Sequence, residues 1–267
     1  MQFVNYDTLN TCLNKFSESF KNTSNLFEKL SRYACTATNE LEGVFDLKDS
    51  YVGLVKEGFH QDLIGEISES SKEKNKDTII KILKNTLTCL DLIGEILKDT
   101  NNFNENYLNK LHKILMEDCN IDEIQFDEYK SYRLIKTDIF RKVACRTTYD
   151  DMIVQFCHPT QIDSEMSVFC DTVRYLLDRK DIDPFEKAAW IQYNYLTIHP
   201  YEDGNGRISR IISSIPLYQF NLSPIVITNE YKDEYFKSLR NCQIDVSSLK
   251  DFIIKSFFTS LNDIENM

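Results

Sequence analysis

The sequence predicts an all-α fold interrupted by one small β-hairpin. Glycine and proline are scarce, seven and five in 267 residues, while Leu, Ile, Lys, Glu and Asp abound, a mixture that favours helices. Apolar residues also recur at three- and four-residue spacing, as at Ile79, Ile82, Leu83, Leu87 and Leu90. A third observation marks the exception. Between 143 and 159, Thr147, Thr148, Tyr149, Ile153, Val154 and Phe156 flank the acidic pair Asp150 and Asp151, the texture of a short hairpin.

Taken in order, helices are expected over about 6–35, 58–73, 78–97 and 104–116, with a polar turn at 70–77. After the hairpin they resume over 163–177. The next helix has a definite start: Asp183 is a good N-cap, Pro184 suits the first helical position, and Glu186 has capping-box spacing. Its body to Ile198 carries Ala188, Ala189, Trp190, Ile191, Tyr195 and Leu196 nearly all round, which places it in the centre of a domain. It must end near His199, because Pro200 disfavours a helical residue before it. A last helix is expected over about 247–261. No internal repeat interrupts the series.

Composition narrows the function. The net charge is −11, from 42 acidic and 31 basic residues, which argues against a nucleic-acid or membrane-surface binder, since both need a basic face. No stretch approaches ~18 consecutive apolar residues, so no membrane helix is expected. Eight scattered cysteines without a C-x-x-C pair read as reduced thiols. With no basic start and apolar run at the N-terminus, a cytoplasmic protein is expected, secretion as an effector remaining open.

The chemistry concentrates in His199-Pro200-Tyr201-Glu202-Asp203-Gly204-Asn205-Gly206-Arg207-Ile208-Ser209-Arg210. Gly204 and Gly206 flank Asn205, so successive N–H groups can turn into one concavity, an anion nest. A helix beginning near Gly206 and running through Ile211, Ile212, Ile215 and Leu217 would aim its positive end at the same place. Arg207 and Arg210, three apart, share a face of its first turns. Asp203 at the mouth suits Mg²⁺, which takes one or two carboxylates plus phosphate oxygens. His199 can reach a reacting hydroxyl. Singly, each feature has an ordinary explanation: a helix cap, a turn, a solvated face. Together they make a polyphosphate pocket with a base at its rim.

This stretch resembles the signature of the Fic (Fido) family, H-P-F-x-[D/E]-G-N-G-R-x-x-R, departing only in Tyr201 where Phe is usual. That position is expected to pack inward, so the added hydroxyl needs a partner. Leu111-His112-Lys113-Ile114-Leu115-Met116 is similar to the family's early Leu-His helix, and the 143–159 hairpin falls where the family has its target-binding flap. The resemblance implies the Fic helical fold with a flap, a core over 104–267 and a helical extension over 1–103. It implies a protein adenylyltransferase that uses ATP and Mg²⁺ on a Ser, Thr or Tyr hydroxyl of a target protein. His199 would be the general base and Asp203 the metal ligand. Gly204, Asn205 and Gly206 would form the anion hole, Arg207 would contact the α- and β-phosphates, and Arg210 the γ-phosphate. On the flap, Tyr149, Met152 and Ile153 would press on the target. Self-modification and a homodimer are both admitted.

Upstream, Thr38-Asn39-Glu40-Leu41-Glu42-Gly43 resembles the family's inhibitory motif [S/T]-x-x-x-E-[G/N], which places an inhibitory helix near 36–45. Thr38, Glu42 and Gly43 are its matched positions. Glu42 would pair with Arg210 and repel the γ-phosphate. In some members this glutamate also serves de-AMPylation. The rivals are a Fic-type transferase of another phosphate-containing group and a non-catalytic, nucleotide-gated binding module. The unaltered Gly204-Asn205-Gly206 favours AMP, and a pure binder has no use for His199.

Overall fold

The structure, a computed structural model, describes residues 3–47, 50–119, 121–126, 129–149 and 152–267. The fold is helical, as the sequence predicts, with two β-hairpins among the described residues where the sequence predicts one. The N-terminal part holds α1 (Tyr6–Asn22), α2 (Leu26–Leu41), α3 (Tyr51–Glu57), α4 (Lys76–Asp91) and α5 (Ile93–Lys98). Then come α6 (Glu105–Met116), α7 (Ile162–Asp178), α8 (Pro184–Ile198), α9 (Asn205–Ser213), α10 (Ile215–Tyr218), α11 (Lys232–Arg240) and α12 (Ser247–Asn266).

Several boundaries differ from expectation, each for a local reason. The long first helix is two: the polar run Thr23-Ser24-Asn25 breaks it, with Asn25 at φ 59°, and α2 then continues past Cys35 to Leu41. The helix expected over 58–73 is absent. Gly58 ends α3 at φ 111°, and apart from a single 3-10 turn at Gln61–Leu63 the segment is coil. It is pinned by backbone bonds from Ser68 N–H to Asp46 O and Glu73 N–H to Val44 O. Phe59 and Ile64 are buried as plugs, which mimics a helical stripe. The helix expected over 78–97 bends at Leu92 into α4 and α5.

α8 is the centre. Asp183 Oδ1 accepts the Phe185 N–H at 2.8 Å, and α8 packs against α7, α9, α10 and α12. α2 lies across α4, α9 and α12, and a single apolar cluster runs from Leu9 through α8 to Ile264. The extension and the core therefore share one interior.

β3 (Arg146–Tyr149) and β4 (Met152–Gln155) form the expected hairpin, antiparallel from Arg146↔Gln155 to Tyr149↔Met152. Asp150 and Asp151, and the side chains of Tyr149 and Met152, lie outside the described residues; Ile153 is exposed. A second hairpin, β1 (Ile121–Phe126) with β2 (Tyr129–Leu134), was not expected. Charged residues interleave its apolar ones in the sequence, a pattern easily taken for a polar loop. Among the described residues no helix is long and apolar enough to cross a membrane. All eight cysteines are free, and burial pushes the Cys12 and Cys89 thiols up to about 12, so they stay protonated.

Candidate active site

The loop between α8 and α9 is built by its own side chains. His199 caps α8 in the left-handed region, φ 53°, since Pro200 stops the helix. Tyr201 turns inward and is fully buried; its hydroxyl donates to Asn109 Oδ1 at 2.7 Å on α6, the partner that the extra oxygen required. Asn205 closes the turn in both directions. Its Nδ2 donates to Tyr201 O at 2.8 Å, and its Oδ1 accepts the Tyr201 N–H at 3.0 Å. The Asn205 side chain is therefore committed to the loop, and what it can offer a ligand is its backbone N–H.

Gly204 holds φ 79°, and a Cβ there would stand 2.8 Å from Met116 Sδ. Only glycine fits both demands. His112 props the loop from α6: its Nδ1 accepts the Asp138 N–H at 3.1 Å, which leaves the proton on Nε2 to donate to Asp203 O at 3.1 Å. Its ring stacks on Tyr201 at 3.8 Å. Burial above all holds this imidazole neutral, its pKa pushed down to about 4.

α9 starts at Asn205, so its first N–H groups lack acceptors within the helix. Arg207 is 1% exposed. Its Nη1 donates to Asn39 Oδ1 at 3.3 Å and Cys119 Sγ at 3.1 Å, and Nη2 to Met116 Sδ at 3.2 Å; among the described residues Nε has no partner. Arg210, 3% exposed, donates from Nε to Thr38 Oγ1 at 2.7 Å and from Nη2 to Glu42 Oε1 at 2.6 Å. A cavity of about 290 Å³ opens beside them, lined by Glu42, Lys72, Cys119, Asp203 and Arg207 among others.

Glu42 sits at the end of α2, and Gly43 at φ 67° lets the chain turn away at once, its N–H on Glu40 O at 2.8 Å. The carboxylate lies directly over Gly206: a Cβ there would fall 2.1 Å from Glu42 Oε1. An anion thus occupies the space above the α9 N-terminus.

Asp203 Oδ1 accepts the Gly204 N–H at 2.6 Å, while Oδ2 is 3.9 Å from Arg207 and the side chain is partly exposed to the cavity. One accessible carboxylate beside a phosphate-sized space fits Mg²⁺, which completes its shell with phosphate oxygens and water.

His199 stacks on Phe156 at 3.9 Å, and among the described residues its buried Nδ1 makes no hydrogen bond of good geometry, though the Leu196 carbonyl attracts the ring. Burial, then the Arg141 charge, pushes its pKa down to about 4, against the opposing pull of Glu42, the Leu196 carbonyl and Asp203. The ring is neutral near pH 7, with a lone pair to accept a proton.

The structure thus brings His199, Asp203, Gly204, Gly206, Arg207, Arg210, Thr38 and Glu42 together. Ile153 and the Tyr149↔Met152 pair lie on the hairpin. Sequence reasoning missed Arg141, Phe156 and Asn39. Phe156 was read only as part of the hairpin and Asn39 only as an unfixed position of the motif, and the contacts that give the three a role, to His199 and Arg207, are with residues distant in the sequence.

Residues 102–217 match the Fic/DOC family. Over 121 residues, 44% of this chain, the sequence is 29% identical to the protein adenylyltransferase fic-1 of Caenorhabditis elegans. Over 57 residues, 21% of this chain, it is 40% identical to a Fido domain-containing protein of Dictyostelium discoideum. The matches cover 24% and 40% of those two relatives. Among solved structures, a Fic domain containing signaling protein from Bacteroides thetaiotaomicron superposes with a TM-score of 0.71 at 19% identity, covering 96% of this chain and 95% of that one. A fragment of Fic-1 from C. elegans gives 0.67 at 15% identity, covering 98% of this chain and 72% of that one. These likenesses carry the fold.

Proposed function

Residues 102–217 match the Fic/DOC family, and from that premise we propose that this chain transfers AMP from ATP to a hydroxyl side chain of a target protein, with Glu42 holding the site shut. The relatives named protein adenylyltransferases support the reaction class. The observation that carries the reading is the anion already in the cradle: a carboxylate over Gly206, bound to Arg210, beside a neutral imidazole.

In the reaction, His199 takes the proton from the target hydroxyl as the oxygen bonds to the α-phosphorus. The bond from that phosphorus to the bridging oxygen breaks, and pyrophosphate leaves. The N–H groups at Asn205 and Gly206, with Arg207, stabilise charge on the phosphate oxygens. A base of this kind contributes ~10²–10⁴-fold. At a pKa near 4 the free imidazole is a weak base, but incoming phosphate charge favours its protonated form and raises that value towards the working range. Mg²⁺, held by Asp203, would offset phosphate charge when bound.

Arg210 can serve Glu42 or a terminal phosphate, not both. Thr38 assists Glu42 by holding Arg210 Nε on α2. The same Glu42 side chain is about a third exposed, at 32%, and lines the cavity, so it can also hold a water for removal of AMP from a modified target. Glu42→Gly would then slow that release.

The test uses wild-type and Glu42→Gly protein with Mg-ATP labelled on the α- or the γ-phosphate, with soluble cell extract as the target source. Label from the α-position alone, stronger in the variant, is expected on protein. Label from the γ-position would assign a phosphotransferase, and none from either position a binding module.

A further inference from the structure

We propose that Arg141 is a positioning residue for this transfer: it locks the His199 backbone in its left-handed conformation and ties it to the base of the β3–β4 hairpin, so that imidazole and hairpin keep one geometry. The inference rests on the reading of His199 as the general base. Arg141 is 2% exposed, yet among the described residues its side chain meets no carboxylate. All its hydrogen bonds go to backbone carbonyls of two converging segments. Nε donates to His199 O at 2.7 Å and Nη2 to Ile198 O at 3.3 Å. Nη1 donates to Val143 O at 2.7 Å, and Nη2 also to Cys157 O at 2.6 Å. Its own N–H donates to Pro200 O at 2.8 Å.

Val143 and Cys157 flank the hairpin, so one guanidinium spans the roots of both strands and the end of α8. Burying a charge merely for stability is costly, and an apolar residue would fill the space more cheaply. A planar fork that binds carbonyls in fixed directions is what the site gains. It needs that, because His199 holds φ 53° without being glycine, a conformation that persists only when its surroundings over-determine it.

The hairpin also fixes the ring. Phe156, the residue after β4, stacks on the imidazole with 15° between planes, and Cys157 N–H donates to Thr197 O at 3.3 Å. Release of Arg141 would therefore loosen both the backbone beneath His199 and the aromatic face above it. The charged groups felt by the imidazole are Arg141 on the hairpin side, and Glu42 and Asp203 across the cavity. Arg141 alone of these favours the neutral ring.

Three measurements on the full chain in the Glu42→Gly background test this. Arg141→Gln should lower kcat about 100-fold, the loss expected for a misplaced reacting group, while the Kd for ATP, read by calorimetry, changes less than about threefold. Arg141→Lys keeps the charge without the fork and should recover about a tenth of the lost rate, with ATP affinity equally unaltered. An unaltered kcat, or rate and ATP affinity falling together in both variants, overturns the proposal. The third measurement needs no transfer. With ring-labelled histidine, the His199 resonance, identified by its loss in His199→Ala, should titrate at higher pH in Arg141→Gln than in the parent. An identical titration refutes the placement of Arg141, whereas a shifted one with no transfer in any variant refutes only the adenylyltransferase reading.

Discussion

Replacing Glu42 by glycine tests the regulatory reading most directly, and its size follows from the contact. The carboxylate accepts a 2.6 Å charge-assisted bond from Arg210, whose side chain is only 3% exposed. Hydrogen bonds to charged groups contribute about 1.5–3 kcal/mol, and exposed ion pairs about 0–1. With Glu42 about a third exposed, at 32%, an intermediate figure is appropriate after discounting for solvent. Displacing Glu42 from Arg210 should then cost an incoming terminal phosphate about 2 kcal/mol, or about 30-fold in rate. Glu42→Gly should raise the initial rate of AMP transfer by that factor, measured with α-labelled ATP below saturation. Glu42→Gln retains the bulk over Gly206 but not the charge, so it should fall between the two. If the folded glycine variant transfers AMP at the parental rate, the carboxylate does not guard the site, and the inhibitory role is refuted.

Other consequences are equally concrete. His199→Ala should cut transfer by ~10²–10⁴-fold while the Kd for ATP, read by calorimetry, stays the same, because the ring is held by Phe156 and is assigned the proton rather than a phosphate. Tyr201→Phe removes only the hydroxyl bonded to Asn109, so urea unfolding should show a loss of about 1 kcal/mol with the transfer rate retained. His112 is neutral in the fold, its pKa pushed down to about 4 from an ordinary 6.5, so the folded state resists a proton that the unfolded chain accepts. Its stabilisation is present above pH 6.5 and is lost as the pH falls towards 4, up to about 3 kcal/mol. Between pH 7 and 4.5 a His112→Asn variant should lose about 2 kcal/mol less stability than wild type, and equal losses would show that the ring titrates freely.

What was legible in the sequence was what is contiguous. The His199 to Arg210 loop states its chemistry in order, because one turn and one helix start bring its groups together. Even the odd residue was informative: Tyr201 in an inward-facing place demanded a partner, and Asn109 supplies it. Arg141 was illegible for the opposite reason. Its partners are backbone carbonyls as many as 58 residues away, and carbonyls leave no mark on residue identity. Asn39 lies within a stretch that was read, yet its bond to Arg207 depends on how α2 crosses α9. The segment 58–73 misled because Phe59, Leu63, Ile64 and Ile67 pack on the core from coil and one 3-10 turn. Gly58 and Gly65 were the available warnings.

The two arginines of the cradle are not in equivalent states, and this has a consequence for nucleotide selectivity. Arg210 has its anion in Glu42. Among the described residues Arg207 has only a long ion pair, to Asp203 Oδ2 at 3.9 Å; two of its partners are sulfur atoms, and Nε is buried without a partner. A buried guanidinium so weakly paired favours an incoming anion. If Arg207 takes the α- and β-phosphates and Arg210 the γ-phosphate, the wild-type site offers an inner pair of phosphates a place and denies one to the third. Calorimetry should therefore find ADP binding about as tightly as ATP in the wild type. In Glu42→Gly, Arg210 is freed for the third phosphate, and ATP should gain over ADP by about 2 kcal/mol, or about 30-fold. An ATP-to-ADP preference identical in the two proteins would mean that Arg210 does not read the terminal phosphate, whatever Glu42 does to the rate.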